Sequence, residues 1–370
     1  GLSYNVALSL TQGPEESMWI GTNCGGLNRW DGGAMVPYVD DNVPPDACLY
    51  ATITRHDGTV WVGHSDVVRI NPETGTSTRI PLPYRAPGQP KRGDVVKALY
   101  EDPSDPAVLW VGTIYGLYKL RGTEVQARYT VDDGLPANRV QYIHRAEETG
   151  LLWLSTRNGL AHLREGEITA FTPETGFPSR SPRAIYEDAQ GALWIGTYGD
   201  GLIRYADSTF TPLTESDGLF DNVVSALVPD GNGALWMSGN RGVARAALGD
   251  LHAVAEGRRT RLPTVDYGQA AGLLNPETNG GFQPAAATDA QGRLWFPTLG
   301  GVAVVDPDEA IAATQPPPVD VQGVSYQRAP LALSGPANRL PNGQRSFNIR
   351  YTGINLSRPD AVRFQYQLQG

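Results

Sequence analysis

The chain has 370 residues, a net charge of −9, 19% charged residues, 43 glycines and 29 prolines. It is too long for one small core, and its composition is that of a turn-rich, strand-rich protein, neither helical nor disordered. The acidic balance argues against nucleic acid or an anionic membrane as partner, since both need basic patches, and no apolar run approaches the length of a membrane span.

From its start the chain writes one phrase seven times. Trp19-Ile20-Gly21-Thr22 is followed by Gly26-Leu27-Asn28-Arg29, and Trp61-Val62-Gly63-His64 by Val67-Val68-Arg69-Ile70. Trp110-Val111-Gly112-Thr113 precedes Gly116-Leu117-Tyr118-Lys119, and Trp153-Leu154-Ser155-Thr156 precedes Gly159-Leu160-Ala161-His162. Trp194-Ile195-Gly196-Thr197, Trp236-Met237-Ser238-Gly239 and Trp295-Phe296-Pro297-Thr298 complete the series. Of the eight tryptophans only Trp30 stands elsewhere. A glycine- and aromatic-rich repeat of roughly 40 to 45 residues means one four-stranded sheet per copy, arranged radially. Such a sheet cannot bury both faces alone, and seven copies are enough to close a ring. The expectation is an all-β chain: a seven-bladed β-propeller over residues 1–312. The two longer steps, before Trp110 and before Trp295, read as loop insertions.

Each copy opens on a short apolar run, assigned to the innermost strand A: Val6–Leu8, Leu49–Ile53, Val95–Leu99, Val140–Ile143, Arg183–Tyr186, Val223–Leu227 and Ala285–Ala287. A turn such as Asp188-Ala189-Gln190-Gly191 follows, where aspartate bonds its own backbone and glycine supplies positive φ. The tryptophan strand B comes next, its indole packing between neighbouring blades and its glycine letting the next sheet approach. The Gly-Leu strand C and a less regular outer strand D finish the blade. No segment has a helical apolar period long enough to insist on, and no outer strand is evident after Val304-Val305-Asp306.

The D-to-A connections carry a second phrase, Asp133-Gly134-Leu135-Pro136-Ala137-Asn138 and Asp217-Gly218-Leu219-Phe220-Asp221-Asn222, with looser copies at Thr175-Gly176-Phe177 and Ala271-Gly272-Leu273. Together the two phrases resemble the two-component regulator propeller repeat of sensor regions in bacterial signalling receptors, of hybrid histidine kinase and diguanylate cyclase type. Blades three to five match best. After Pro316-Pro317-Pro318, a stiff break, three segments alternate as strands: Val319–Val324, Ser346–Thr352 and Val362–Leu368. This tail, residues 313–370, resembles the N-terminal part of the triple-tyrosine domain, an Ig-like β-sandwich, here incomplete. Both ends read as cut from something longer. The resemblance implies a periplasmic, non-enzymatic ligand-sensing domain of a transmembrane receptor, with a homodimer in the full receptor. It implies a small-molecule or oligosaccharide ligand, no nucleic acid and no membrane contact by this portion.

Catalytic chemistry finds little support in the residues. His56, His64, His144, His162 and His252 show no metal spacing, there is no nucleophile elbow or phosphate loop, and no cofactor or metal is expected. Cys24, in the B–C turn of blade one, and Cys48, before strand A of blade two, belong to one face of adjacent blades. They are open to two readings, a bridge in an oxidising compartment or two unpaired thiols. Variable side chains converge where the B–C and D–A loops share a face. Candidates at the channel mouth are Asn5, Asp94, Arg139, Arg183 and Asn222, with Tyr115, Arg157, Tyr198 and Arg241 on B–C turns. Aromatic platforms with arginines and amides suit a sugar or an anionic oligosaccharide. The alternatives are a propeller enzyme of lyase or lactonase type and a scaffold binding protein by its rim.

Overall fold

The computed structural model describes residues 1–83, 95–312, 319–326, 329–331 and 348–353. Seven antiparallel sheets follow one another along the first part of the chain, each in plain up-and-down order; six have four strands and the last has three. The innermost strands are Ala7–Gln12, Ala51–Thr54, Val96–Glu101, Val140–Arg145, Pro182–Glu187, Ala226–Pro229 and Ala287–Thr288. The architecture is a seven-bladed β-propeller.

The indoles explain why the sheets stack. All seven repeat tryptophans are at most 5% exposed; six of them pack on the following blade, and Trp236 stacks on Tyr267 of its own blade, 5.3 Å between ring centroids. Trp19 meets Val60 and Val62, Trp61 meets Val96 and Leu99, and Trp110 meets Val140 and Leu152. Trp153 meets Ile185 and Leu193, while Trp194 meets Val224 and Leu235. Trp295 closes the circle on Ala7, Leu10 and Met18 of blade one. Each burial of this size stabilises by about 2–3 kcal/mol before entropy is charged against it. The glycine two places after the indole gives the next blade room: a Cβ at Gly196 would stand 2.6 Å from the carbonyl oxygen of Val224.

The A–B turns are pinned to the indoles. Asp188 accepts the Gln190 and Ala192 amides on Oδ1 and the Trp194 Nε1–H, at 2.7 Å, on Oδ2. The same indole bond joins Trp110 to Asp102, Trp236 to Asp230 and Trp295 to Asp289. Blade one has Gly13 at the equivalent place, and Trp19 Nε1 is buried without a partner. The space an aspartate would need is taken, since a Cβ at Gly13 would lie 2.4 Å from that nitrogen.

Blade seven has three strands, ending at Gly301–Val305, and no fourth pairs with them among the described residues. The ring shuts through side chains instead. Asn279 Nδ2 donates to the Ala7 carbonyl at 2.7 Å and Gln291 Nε2 to Glu16 at 2.8 Å.

The all-β class holds with two short helices among the described residues: α1 (Leu248–Ala255) sits in the long step of blade six and buries Leu251 and His252, and α2 (Pro307–Ala312) follows blade seven. Strand A starts two or three residues later than expected in three blades, at Ala51 in blade two, Ala226 in blade six and Ala287 in blade seven.

The chain divides into two compact units, Gly1–Asp306 and Pro307–Gly370. In the second, Val319–Tyr326 pairs antiparallel with Ala329–Leu331 on one side and Asn348–Gly353 on the other. This three-stranded sheet is compatible with part of a sandwich. Pro316–Pro318, Ser346, Phe347 and the expected strand Val362–Leu368 lie outside the described residues.

Candidate ligand site at the channel mouth

The loops of the B–C and D–A face are built by their own polar groups. In the B–C hairpins the motif threonine turns back on the chain: Thr113 Oγ1 donates to the Gly116 carbonyl and Thr197 Oγ1 to that of Gly201, both at 2.8 Å. In the D–A connections the recurrent phrase forms a short 3₁₀ turn with a capping box. Asp133 accepts the Thr130 amide and hydroxyl, Asp217 does the same for Thr214, and Gly134 and Gly218 end the turns at φ 104 and 96. Leu135, Phe177 and Leu219, one residue beyond each glycine, drop into the core. The face is thus fixed by internal bonds.

Just inside it, strand A carries a bulge in successive blades. Ala7 and Ser9 pair with consecutive residues of strand B, as do Val96 and Ala98, and Val140 and Tyr142. Blade five has the same irregularity between Pro182 and Ile185. One extra residue re-aims a side chain, so Leu8, Lys97, Gln141 and Arg183 occupy one level of the ring, with Tyr50 and Ser225 at the matching places.

The long insertion before Trp295 enters this ring and crosses it. Gln283 N–H donates to the Lys97 carbonyl at 2.8 Å, and its side chain bonds both the amide and the carbonyl of Ile143, at 2.9 and 2.8 Å. A segment of the seventh repeat is thereby stapled to blades three and four. Phe282 packs with Leu8, Ala226 and Ala285. Gly280 is required here, because a Cβ would come within 2.6 Å of Ser225 Cβ. The insertion thus occupies the interior of the ring at this level, next to the mouth.

That mouth is cationic. Lys97, only 7% exposed, places its ammonium 3.1 Å from the Tyr50 ring centroid. Burial first, and Arg139 second, pull its amine down to about 7. Arg139, at the entrance to strand A of blade four, has a buried Nε with no partner. Burial lowers its pKa and the Arg157 charge lowers it further, against an opposing effect of Tyr50. Arg183 donates to Ser225 Oγ at 2.7 Å and lies over the exposed Tyr198 ring at 4.3 Å. Burial brings it down to about 10, with Tyr198 opposing and Arg139 adding to the fall.

Of the residues expected at the mouth, Arg139, Arg157, Arg183 and Tyr198 are brought together. Arg157 is exposed, its amide bonded to the Arg139 carbonyl. Asn222 is used inside its loop, accepting the Glu215 amide on Oδ1. Arg241 is held by Glu215 at 3.1 Å, and Tyr115 serves the B–C turn, its carbonyl accepting from Arg128. Asn5 is exposed at the rim, and Asp94 lies outside the described residues. Lys97, Tyr50, Gln141, Ser225 and Gln283 escape a reading of the sequence, since nothing in the spacing marks a bulge. Cys24 and Cys48 form a disulfide that ties the B–C turn of blade one to the entry of blade two. Among the described residues no group of three histidine, cysteine or acidic side chains is placed to hold a metal, and no helix is long and apolar enough to cross a membrane.

Comparison with known proteins adds a match to one repeat and to several solved structures. Residues 176–199 match the model of the two component regulator propeller, a stretch running from the D–A glycine Gly176 through strands A and B of blade five. The chain is similar to the extracellular domain of a protein described as the hybrid two component system BT3049 of B. thetaiotaomicron. The TM-score is 0.73 and the identity 22%, over 97% of this chain and 48% of that one. The extracellular domain of BT4673 from B. thetaiotaomicron follows, at TM-score 0.63 and 20% identity, over 82% of this chain and 38% of that one. Virginiamycin B lyase from Staphylococcus aureus shares the fold more distantly, at TM-score 0.60 and 16% identity, over 81% of this chain and 94% of the lyase. The chain spans about half the length of the first of these structures or less, and no curated protein sequence matches it. Residues 176–199 of this seven-bladed ring therefore match the two component regulator propeller repeat.

Proposed function

We propose that this chain is part of the extracytoplasmic sensing region of a bacterial signalling receptor, and that it binds a small polar ligand, a carbohydrate by preference, at the channel mouth. The observation carrying this reading is the pairing of the two component regulator propeller repeat at 176–199 with a mouth where the Tyr198 ring is exposed and Arg183 lies over it without an acid among the described residues. Binding acts on a receptor only through unequal affinity for two of its states. The second unit, taken as the start of a triple-tyrosine sandwich, is the element that would relay that difference, in a receptor that works as a homodimer.

The test is a thermal-shift and calorimetric screen against neutral and acidic oligosaccharides. A ligand at a hundredfold its Kd stabilises by about 2.7 kcal/mol, which is read directly. Binding that survives Arg183→Gln and Tyr198→Ala together would refute the placement, and a screen with no binder would refute the reading. A second reading is a lyase-type propeller, supported by the distant likeness to the lyase. That chemistry calls for histidines and carboxylates at the mouth, whereas the side chains there are Lys97, Arg139, Gln141, Arg183, Ser225 and Tyr50.

A further inference from the structure

We infer that the channel mouth is a site for an anionic group, a carboxylate or a sulfate, held by Lys97, Arg139 and Arg183 with Tyr198 as a platform beside it. This inference rests on the sensing reading and narrows it to a class of ligand.

The protein treats its cations in two ways. Elsewhere several arginines are matched to acids: Arg55 with Glu101, Arg79 with Asp66, Arg145 with Asp102, Arg245 with Asp230 and Arg293 with Asp289. In a chain of net charge −9 such matching is easily had. Around the mouth, among the described residues, only Arg241 is so matched, to Glu215. Lys97, Arg139, Arg157 and Arg183 take part in no ion pair with the described residues, and Lys97 and Arg183 are instead set against the rings of Tyr50 and Tyr198. The charged and titratable groups facing Lys97 are Tyr50 and Arg139; Arg139 in turn faces Arg157 and Arg183. Like charges held together under partial burial destabilise the empty protein. Such an arrangement is offset when an anion enters, forming charge-assisted bonds with groups already in place. The Arg139 Nε–H, buried and without an acceptor, is one donor that an entering oxygen would satisfy. The occupied interior matters too. Gln283 and Phe282 stop the anion from passing inward, so it rests at the level where the three cations meet.

A proton is linked to the event. Lys97 must be charged to contribute, and its amine is already held low in the empty site, so binding takes up a proton near neutral pH and weakens as pH rises.

The experiment uses the full chain and four probes: sodium sulfate, sodium acetate, a trigalacturonate and the neutral sugar maltotriose. Each is titrated calorimetrically at pH 6 and pH 8.5 in two buffers of different ionisation heat. Wild type is set beside Lys97→Gln, Arg139→Gln and Arg183→Gln. At least one anionic probe is expected to bind, tenfold or more tightly at pH 6 than at pH 8.5, and each variant is expected to lose tenfold or more. The ligand-free variants are expected to melt at or above the wild-type temperature, which a purely structural role for these cations would reverse. Binding of maltotriose unaffected by pH or by the variants overturns the anionic inference while leaving the sensing reading intact. Failure of all three anionic probes overturns the inference, as does variants that melt lower and bind as well as wild type.

Discussion

Replacing Asp188 with asparagine removes one charge from a buried site and changes almost no volume. Asp188 Oδ2 takes hydrogen bonds from Trp194 Nε1 at 2.7 Å and from His252 Nε2 at 2.8 Å. His252 Nδ1 accepts from Arg204 Nε at 3.1 Å, which fixes the imidazole proton on Nε2. Asparagine keeps an oxygen for the two turn amides but turns an NH₂ towards two donors. The histidine cannot rescue this by changing tautomer, because its other nitrogen faces a guanidinium. Two bonds to a charged acceptor, at about 1.5–3 kcal/mol each, are lost and two buried donors are left unmatched. Allowing for relaxation, Asp188→Asn is expected to destabilise by about 3–5 kcal/mol, a large share of an ordinary folding free energy.

The assay is urea unfolding followed by circular dichroism, with the slope checked for constancy so that the midpoint reports stability. A cycle with Trp194→Phe isolates the indole bond and should return a coupling of about 1–2 kcal/mol. If Asp188→Asn falls within about 0.5 kcal/mol of wild type, or the coupling vanishes, the claim that buried aspartates pin the blades to their indoles is wrong.

The disulfide between Cys24 and Cys48 closes a loop of 24 residues, so reduction should cost about 3 kcal/mol by the loop-entropy relation; melting with and without dithiothreitol checks it, together with thiol titration of the native protein. Gln283→Ala strips the buried Ile143 amide and carbonyl of their partners, for an expected loss of about 2–4 kcal/mol. Faster hydrogen exchange at Ile143 would locate the effect. Acid should unfold the ring through its turn aspartates. Burial pushes Asp102, Asp230 and Asp289 up, but bonds from their indoles, turn amides and arginines outweigh it and hold all three below the ordinary value. A lowered folded pKa gives stability that is complete above the unfolded value of about 3.9 and lost as pH falls through the folded one. Melting temperature should therefore be flat for these groups above roughly pH 5 and drop steeply below about pH 4.

The seven indoles made the ring legible in the sequence because they are the residues that each blade must hide, and any copy without a large apolar side chain there would leave a gap between sheets. The aspartates of the A–B turns were legible as turn residues only; their second oxygen, committed to the indole, depends on a distance between residues six or eight apart that spacing alone does not reveal. At the mouth, Arg139, Arg183 and Tyr198 were within reach because they flank strands whose positions the repeat fixes. Lys97 was not, since in a straight strand Val96 and Ala98 would send it to the opposite side, and the bulge that turns it inward leaves no mark in the residue types. Asn222 was misleading for a related reason. Its side chain suits ligand and turn equally, and the turn, seven residues away, claims it.

The insertion inside the ring gives these separate features a common logic. A ring of seven sheets joined only by apolar side chains can breathe at each seam, and a site assembled across several blades would blur with that motion. Gln283 removes much of the freedom where it counts, because one side chain holds both backbone groups of Ile143 while its own amide holds Lys97. Blades three and four are thus fixed relative to the segment that precedes blade seven, and Lys97 and Arg139 are kept at a set separation whatever their charges prefer. Preorganisation of this kind is what lets a site keep an unfavourable charge arrangement without spreading it by relaxation. The stability that tolerates it comes from elsewhere in the molecule, from the indole seams and their aspartates. Loosening the staple should for that reason harm the mouth more than the ring: in Gln283→Ala Lys97 and Arg139 can move apart, so the repulsion falls while the capacity to grip an anion falls with it.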